Sequence, residues 1–545
     1  GPGSIIYGSD AIGGVMSFQT LSPQLALDQN VLISGKTVSR FSSANQEATH
    51  HFNANIGGQK WASVSSFTYS KFGDLKMGKN GPDQYLKKFY VERIDNVDRM
   101  LENPNPLIQN PSGYSQINLM QKIKFIPTSK WDLQYGFHYS ETSEYARYDR
   151  LIEMSNGLPS SAVWNYGPQI WRMNQLTAIH NGYNKVYDRM SARLAEQYFE
   201  ESRIDRRFSH FRLRTNLEQV QAYSANIDFE KNIQKHRAFY GVEYVLNQVS
   251  STGTAVDIRS GTPILVPDRY PQSDWKSYAL YANFQFVVSE HLITQAGIRV
   301  NSFDISSDFT RHLSFFPFDF TRSLLHNAAT TGSLGMVFSP NPTLKINAIG
   351  STGFRAPNVD DIGKIFDFAS GEVVVPNTNL QAEYAYNAEL SLSKQFGKGV
   401  KWEINGFYTY LDNAMVRRPF TVNGQETILY NGQPSKVYAI QNAAYGTVYG
   451  VQTALEIKLP AGFQWSSRYN YQLGKEEMDN GTLSRSRHAA PAFGITRLSF
   501  HRGKLTLEGN ITYCAEVSYQ NLNEEERQKP ILYAKDADGN PFSPA

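Results

Sequence analysis

The sequence predicts an all-β protein, a transmembrane antiparallel up-and-down β-barrel, from its composition, its alternation and its loop lengths. Aromatic residues make up 13% of the 545 residues and charged residues only 19%, while the mean hydropathy is −0.44. No stretch approaches the roughly 18 apolar residues that a membrane-spanning helix needs. A polar average that is rich in Tyr and Phe fits a barrel with apolar outward and polar inward side chains.

Apolar and polar residues alternate along most of the chain. Between 131 and 139 the odd positions are Trp, Leu, Tyr, Phe and Tyr. The same period recurs at 278–286, 388–396, 402–410, 451–459, 463–473 and 505–513. Successive side chains of a strand point to opposite faces, so these segments are predicted to be strands with one apolar face.

The connections between the predicted strands fall into two length classes. Short turns are expected at 57–60, 127–130, 180–185, 232–235, 289–291, 339–342, 397–400, 460–463 and 501–504. Long polar and aromatic loops are expected near 73–113, 144–169, 252–273, 307–328, 355–381, 412–435 and 476–490. Short turns at one rim and long loops at the other are typical of outer-membrane barrels. A soluble sandwich would not separate its loops by length in this way.

The spacing of the connections gives about 19 strands, from near Gln29 to near Ala515. Large plugged outer-membrane transporters close at about 22 strands. The segment 516–545 is rich in Asn, Glu and Pro and contains no aromatic closing strand. We therefore expect a barrel of the large plugged type, incomplete at its C-terminus.

The first twenty residues carry a glycine-rich motif. It consists of Gly1, Pro2 and Ser4, then Tyr7, Gly8, Ser9 and Ala11, then Gly13, Gly14 and Val15 before a short β-run. This stretch resembles the end of the plug domain of TonB-dependent outer-membrane receptors. The resemblance implies a plug end at 1–20 followed by a barrel at 21–545. Glycines suit the tight turn and the close approach to a barrel wall, whereas residues 1–4 alone could be a cloning scar.

A second stretch is similar to the same family. Its Gly-Phe-Arg-Ala-Pro and Asn-Pro-Asn-Leu-x-x-Glu landmarks are matched by Gly353, Phe354, Arg355, Ala356 and Pro357, and by Asn377, Asn379, Leu380 and Glu383, with Thr378 in place of a proline. Weaker matches lie at 241–244, 297–299, 449–451 and 491–494. The order and spacing of these landmarks identify the chain as similar to a TonB-dependent receptor, as a fragment that lacks most of the plug and the last strands.

The landmark residues are interpreted as structural. Pro357 ends a strand because it cannot donate a ladder hydrogen bond, and the Arg355 guanidinium can tie a loop to the carboxylates of Asp360 and Asp361. Ligand contact by Arg355 is the alternative. The structural set is Tyr7, Gly8, Gly13, Gly14, Phe354, Arg355, Pro357, Asn377, Asn379 and Glu383.

Ligand binding is predicted in the long loops where aromatic and cationic side chains occur together. The first aromatic cluster is Arg311, His312, Phe315, Phe316, Phe318, Phe320 and Arg322, and the second is Trp164, Tyr166, Trp171 and Arg172. Rings and guanidinium groups suit a bulky anionic or chelate ligand through stacking and charge-assisted hydrogen bonds. The alternative is that these side chains pack against one another or form the rim girdle.

Signals for metal binding and catalysis are weak. The 11 His are scattered, and no zinc-protease, nucleophile-elbow or phosphate-loop motif occurs. The single Cys514 excludes an internal disulfide. The residues 536–540 resemble the start of a calcium loop without its closing Glu, so a turn is expected there. We predict no enzyme activity, no metal site, no cofactor and, with a net charge of +3, no nucleic-acid partner.

The resemblance implies an active transporter in the outer membrane of a Gram-negative bacterium, embedded in its lipid and driven by the TonB motor complex through the missing N-terminal plug. A ferric siderophore or similar metal chelate is the leading ligand, ahead of cobalamin and of oligosaccharide or peptide. Heme is disfavoured because residues 356–380 lack the His that heme receptors carry there. A passive pore or structural surface barrel is the alternative class, and an accessory surface lipoprotein is left open.

Overall fold

The computed structural model describes residues 3–27, 30–367, 371–430, 433–478, 481–486, 489–527 and 533–543. Its main feature is a meander of long strands. Their bounds are β1 Leu32–Ser42, β2 Glu47–Gly57, β3 Trp61–Phe72, β4 Tyr114–Thr128, β5 Trp131–Thr142, β6 Ser161–Asn181, β7 Arg189–Arg207, β8 Arg212–Ile233, β9 His236–Asp257, β10 Gln272–Val287, β11 Leu292–Asp308, β12 Arg322–Asn341, β13 Leu344–Arg355, β14 Glu383–Phe396, β15 Val400–Pro419, β16 Gln433–Lys458, β17 Phe463–Glu477, β18 Phe493–Arg502 and β19 Leu505–Cys514.

Each strand of the meander pairs antiparallel with the next one along the chain, from the β1–β2 ladder to the β18–β19 ladder. The predicted all-β fold and the count of about 19 barrel strands are confirmed. Within the described ranges, six short loop strands join the same sheet in addition. Among the described residues no ladder joins β1 to β19.

The two rims differ as predicted. One rim carries nine turns of two to seven residues, of which 129–130, 234–235, 342–343 and 503–504 are the tightest. The opposite rim carries the connections 43–46, 73–113, 143–160, 208–211, 258–271, 309–321, 356–382, 420–432 and 478–492. We call this the loop rim. Two of these connections, 43–46 and 208–211, are short hairpin turns.

The loops contain short elements of their own. The helices in the described residues are α1 Ser4–Tyr7, which precedes β1, and α2 Tyr148–Leu151, α3 Val359–Gly363 and α4 Glu524–Arg527; 3-10 turns lie at Asp83–Tyr85, Thr310–Ser314, Pro460–Gly462 and Tyr519–Asn521. Short strands lie at Leu75–Lys76, Phe89–Ile94, Val97–Glu102, Ile108–Gln109, Tyr145–Ala146, Met154–Ser155, Leu158–Pro159, Pro263–Ile264, Phe366–Asp367, Glu372–Val375, Thr427–Tyr430, Leu483–Arg485, Val517–Ser518, Ala534–Lys535 and Pro541–Ser543. In the described part of the chain, no helix has the length and hydropathy to cross a membrane.

The two faces of the sheet have opposite chemistry. Ile227, Val242 and Leu280 stand opposite one another in consecutive ladders and are exposed. Glu243 and Ala279 follow the other parity and face the side on which residues 3–10 lie. The apolar face therefore points outward and the polar face lines the lumen, as the alternation predicts.

Candidate functional site

Residues 3–10 form a tight turn against the lumen wall. Helix α1 contacts β10, β11, β12 and β13, and its Ser4 and Ile5 are fully buried. The Ser4 hydroxyl donates to the carbonyl of Gly8 at 2.9 Å, which closes the turn. Gly8 has a φ of 74°, a conformation that glycine adopts without strain.

An ion pair with a buried arginine lies directly under this turn. Arg299 on β11 is 1% exposed, pairs with Glu243 on β9 and donates through Nε to Asn301 Oδ1 at 2.5 Å. Its Nη1 reaches the carbonyl of Ile6 at 3.4 Å. A Cβ at Gly8 would lie 2.7 Å from Arg299 Nη2. The first motif therefore needs glycine at this position for space as well as for backbone angle.

The two motifs found in the sequence contact each other. The Asp10 N–H donates to the carbonyl of Phe354 at 3.0 Å, and the Ala356 N–H donates to Ser9 Oγ at 2.9 Å. These bonds join residues 9 and 10 to the end of β13 at the loop rim. The sequence showed both motifs but not that they would meet.

Arg355 lies at this junction and contacts three separate segments. Its Nη2 donates to both oxygens of Asp361 at 2.7 and 2.8 Å. Its guanidinium also lies 3.7 Å from Asp10 and 3.7 Å from Glu383 on β14. Asp361 belongs to the first turn of α3, where it forms a capping box with Asn358. One arginine thus links residues 3–10, the barrel wall and the loop helix α3.

Asp361 is the expected partner of Arg355, whereas the expectation for Asp360 is wrong. The Asp360 carboxylate accepts a hydrogen bond from Tyr270 Oη at 2.6 Å and pairs with Lys364 at 3.0 Å. The two neighbouring carboxylates point in different directions from α3, so only one can reach Arg355.

Five of the other landmark residues make structural contacts, namely Phe354, Pro357, Asn377, Asn379 and Glu383. Phe354 is 1% exposed inside an apolar cluster, and the carbonyl of Pro357 accepts from Trp275 Nε1 at 3.3 Å. Asn377 Nδ2 donates to the carbonyl of Ile440 at 2.7 Å, and its Oδ1 accepts from the Asn379 N–H at 3.0 Å. Glu383 Oε2 accepts from the Met415 N–H at 2.9 Å. Tyr7, Gly13 and Gly14 are exposed.

The rings of the first aromatic cluster form part of a loop core. Phe316 is 4% exposed and Phe318 is 9% exposed. They pack with Phe309, Ile365, Val373, Val375, Val422, Ile428, Tyr430, Val437 and Ala439, and Phe315, Phe320 and Phe420 lie against them. Three loops meet here, and Glu372–Val375 pairs in parallel with 436–439. We call this assembly the loop core; its packing favours the structural interpretation of Phe316 and Phe318.

The polar side chains of the first aromatic cluster lie in three different environments. His312 is 1% exposed, with Nε2 3.1 Å from the carbonyl of Asp268. Burial lowers the pKa of His312 below its ordinary value. Arg311 pairs with the Asp268 carboxylate at 2.8 Å but keeps a side chain that is 62% exposed. Arg322 lies on the outward face of β12, 3.6 Å from Asp308, and is not part of this group.

The second aromatic cluster is organised around an arginine that the sequence reasoning missed. The Arg147 guanidinium carbon lies 5.1 Å from the ring centres of both Trp164 and Tyr166, and Nη1 donates to Tyr166 Oη at 2.7 Å. Asp149 holds Arg147 through two hydrogen bonds of 2.7 and 2.6 Å. The rings continue along the lumen wall from Tyr166 through Tyr145 and Tyr114 to Phe72.

Trp171 and Arg172 lie on opposite faces of β6. Trp171 packs on His138 and lines a lumenal hollow together with residues 19–21. Arg172 points outward and pairs with Glu196 at 3.1 Å. The structure therefore places Trp164, Tyr166 and Trp171 on the lumen side and removes Arg172 from that group.

The missed residues had a detectable signal. Arg299 and Glu243 lie within the weaker family matches at 297–299 and 241–244, as charged residues at lumen positions in the middle of strands, and Arg147 lies two residues from Tyr145 in an aromatic run. Among the described residues, no group of three or more His, Cys, Asp or Glu is arranged to hold a metal ion. The Asp536 segment forms a turn, closed by the Gly539 N–H on the Asp536 carbonyl at 3.0 Å.

Comparisons with known proteins agree with this geometry. A family model described as TonB dependent receptor-like, beta-barrel, matches residues 96–538. The vitamin B12 transporter BtuB of Photobacterium profundum is 20% identical over 525 residues, which is 95% of this chain and 66% of that protein.

Solved structures with the same fold include the copper transporter OprC, with a TM-score of 0.66, 9% identity, and coverage of 89% of this chain and 66% of that one. A mutant of the ferric enterobactin receptor PfeA of Pseudomonas aeruginosa, in complex with enterobactin, has a TM-score of 0.67 and 12% identity, and the match covers 100% of this chain and 76% of that one. This chain thus spans about two thirds of the length of the first relatives that it matches.

Proposed function

The chain belongs to the TonB-dependent receptor β-barrel family, and from that premise we propose that it is the barrel of an active transporter in the outer membrane of a Gram-negative bacterium. Residues 1–20 are then the end of a plug domain and 21–545 the barrel. The TonB motor complex acts on the plug, and the barrel admits a scarce small ligand.

The observation that carries this proposal is the contact of residues 4–10 with the lumen wall. A passive pore needs a free water-filled lumen, whereas here a glycine turn is seated over the Arg299–Glu243 pair and bonded to the end of β13. Such a fitted contact supports a plugged, gated barrel over a passive pore or a structural surface barrel.

The ligand that we propose first is a ferric siderophore or a similar metal chelate. The support is the row of lumen-facing rings around Trp164 and Tyr166 with the Arg147 guanidinium between them, which suits a bulky chelate. The enterobactin complex of PfeA shows such a ligand on a barrel of the same fold. Cobalamin is the second candidate, because the curated relative is a vitamin B12 transporter.

Growth of a deletion strain on defined sources of iron, heme and cobalamin tests the proposal. The deletion should abolish growth on one ferric chelate at low concentration, and the complete gene should restore it only when TonB is intact. Failure on cobalamin alone would select the second candidate. Unchanged growth on every source, with free passage of small sugars through the purified protein in liposomes, would favour the passive pore.

A further inference from the structure

The long loop 73–113 contains a β-hairpin that packs on the outside of the barrel wall. We call residues 89–102 the outer hairpin; its two strands pair with each other in a sheet of their own. Its first strand borders a hollow of about 140 Å³ whose lining includes Phe89, Tyr90, Val91, Tyr148, Leu151, Ile152, Val163 and Asn165. Along β6, Val163 and Asn165 alternate with Trp164 and Tyr166, whose rings face the lumen. The outer hairpin therefore lies on the outward side of β6.

One buried carboxylate fastens the outer hairpin to the wall. The Asp98 side chain is 0% exposed, and Arg206 donates to it through Nη1 at 2.6 Å and through Nη2 at 2.7 Å. Asp98 also accepts from the Ser209 N–H at 2.8 Å and from Arg93 Nη1 at 3.2 Å. Arg206 lies at the end of β7 and Ser209 in the turn that follows. Two-pronged, charge-assisted contacts of this kind are strong, and losing one partner leaves the other charge buried and unpaired. We call the Asp98–Arg206 contact the clamp.

Helix α2 lies beside the outer hairpin and depends on its neighbours for stability. It is four residues long, whereas an isolated helix shorter than roughly 12 residues is only marginally stable in water. Leu151 and Ile152 at its end line the same hollow as Phe89 and Val91 of the outer hairpin. Packing against the outer hairpin on one side and against β6 on the other therefore holds α2 in place.

The first turn of α2 orients the arginine of the second aromatic cluster. The helix begins directly after Arg147, whose carbonyl accepts from the Arg150 N–H at 3.0 Å. Asp149 in that turn holds the Arg147 guanidinium through hydrogen bonds of 2.7 and 2.6 Å. The Arg147 N–H donates to the carbonyl of Trp164 at 2.8 Å, and its guanidinium lies over the rings of Trp164 and Tyr166. A displacement of α2 would therefore carry Arg147 away from both rings.

We propose that Asp98 is a positioning residue for the ligand site in the lumen, although it lies on the outside of the wall. The clamp holds the outer hairpin, the outer hairpin holds α2, and α2 holds Arg147 against Trp164 and Tyr166. Asp98 acts through these contacts and not by touching the ligand. The inference rests on the proposed function, in which the lumen-facing rings are the ligand contacts.

The first experiment uses the full-length receptor and needs no ligand. Asp98→Asn removes the charge of the clamp while keeping the size of the side chain. Deuterium exchange at the Arg147 amide should become about tenfold faster, because α2 loses its outer support. The fluorine signal of 5-fluorotryptophan at position 164, assigned with Trp164→Phe, should shift. The matched control is Asp95→Asn, which removes the same charge from the exposed turn of the outer hairpin and should change neither readout. The thermal unfolding midpoint of both variants verifies folding.

A second set of variants tests whether Asp98 and Arg206 act as one unit. Arg206→Ala, Asp98→Ala and the double variant should all speed exchange at Arg147 by the same factor, because each removes the same clamp. Growth supplies the functional readout, with the panel of iron, heme and cobalamin sources described above. On the source that depends on this receptor, the half-saturating concentration for Asp98→Asn should rise about tenfold with an unchanged maximum, since a less ordered site binds more weakly.

Three results would overturn the proposal. The first is parental exchange at Arg147 together with a parental Trp164 signal in Asp98→Asn. The second is an equal change in Asp95→Asn, which would mean that any lost charge on the outer hairpin suffices. The third is a loosened Arg147 with an unchanged half-saturating concentration, which would make the clamp a loop fastening only. Growth that is independent of the receptor on every source would contradict the transport proposal instead, and the two readouts without ligand would still decide whether the clamp positions Arg147.

Discussion

The two aromatic clusters have similar compositions but opposite environments. Phe316 and Phe318 lie inside the loop core, whereas Trp164 and Tyr166 lie on the lumen wall and are partly exposed. The first group belongs to a long loop that meets two others, so its rings find apolar partners and exclude water. The second lies at the start of β6, before a register shift between Tyr166 and Gln169, and this shift brings its rings to the lumen side on which Trp171 also lies. Position relative to the sheet, and not composition, separates packing residues from candidate ligand contacts.

The largest expected effect is loss of the loop core in Phe316→Ala. Removing a buried ring should cost about 3–5 kcal/mol in the free energy of opening of this core, because the surrounding side chains cannot fill the cavity. Hydrogen exchange of the amides at 373–375 and 437–439 measures the opening. The control Phe315→Ala removes a ring from the edge of the core and should cost much less. Equal effects of the two substitutions would contradict the division between core and edge.

The second effect concerns Arg355. Arg355→Ala removes the charge-assisted bonds to Asp361 and should cost about 1.5–3 kcal/mol in local stability at the junction. Arg355→Lys should rescue only part of it, because an ammonium cannot reproduce the two-pronged contact. Hydrogen exchange at the Asp10 and Asp361 amides reports the loss. Arg322→Ala, an exposed arginine on the outward face, serves as the control and should change stability by less than about 0.5 kcal/mol.

The third effect separates the two faces of β6 by ligand affinity. Trp164→Ala in the complete receptor should weaken binding of the transported chelate at least tenfold, about 1.4 kcal/mol, because lumen-facing aromatic side chains are common anchors of recognition. Arg172→Ala, on the outward face of the same strand, should leave affinity unchanged. Calorimetric titration measures both. Loss of affinity in the Arg172 variant alone would reverse the assignment of faces.

A test of ligand contact by the first aromatic cluster has to leave the loop core intact. A joint substitution of Arg311, Phe316 and Phe318 would remove ligand contacts and loop core together, and could not distinguish them. Arg311→Ala alone is informative, since its side chain is 62% exposed and its partner Asp268 is held independently by the Gly253 N–H at 2.7 Å. Ligand contact by Arg311 stays a prediction that this single variant can check.

The sequence predicted the barrel well because the period of two is a local property. In the segments 278–286 and 505–513 the alternation is visible within the segment itself. Each short turn is likewise predicted from the residues of that turn. The site was harder to predict because it depends on distant contacts. Ser9 and Ala356 are bonded across 347 residues, and nothing local to either shows the contact. Likewise, nothing in the sequence near His312 shows that the carbonyl of Asp268, 44 residues earlier, lies 3.1 Å from its Nε2.

The smallest expected effect is a pH dependence of the loop core that arises from His312. Burial lowers the pKa of this imidazole in the folded loop, so the opened loop binds a proton more readily than the closed one. The core should therefore be most stable above the ordinary histidine pKa of about 6.5 and lose stability as the pH falls below it. The charged groups that face His312 are Arg311 and Asp268, which neutralise each other as an ion pair. Hydrogen exchange at 373–375, corrected for its intrinsic pH dependence, should show protection falling between about pH 7 and pH 5. In His312→Gln, which cannot titrate, this dependence should flatten, and an unchanged slope there would assign it to another group.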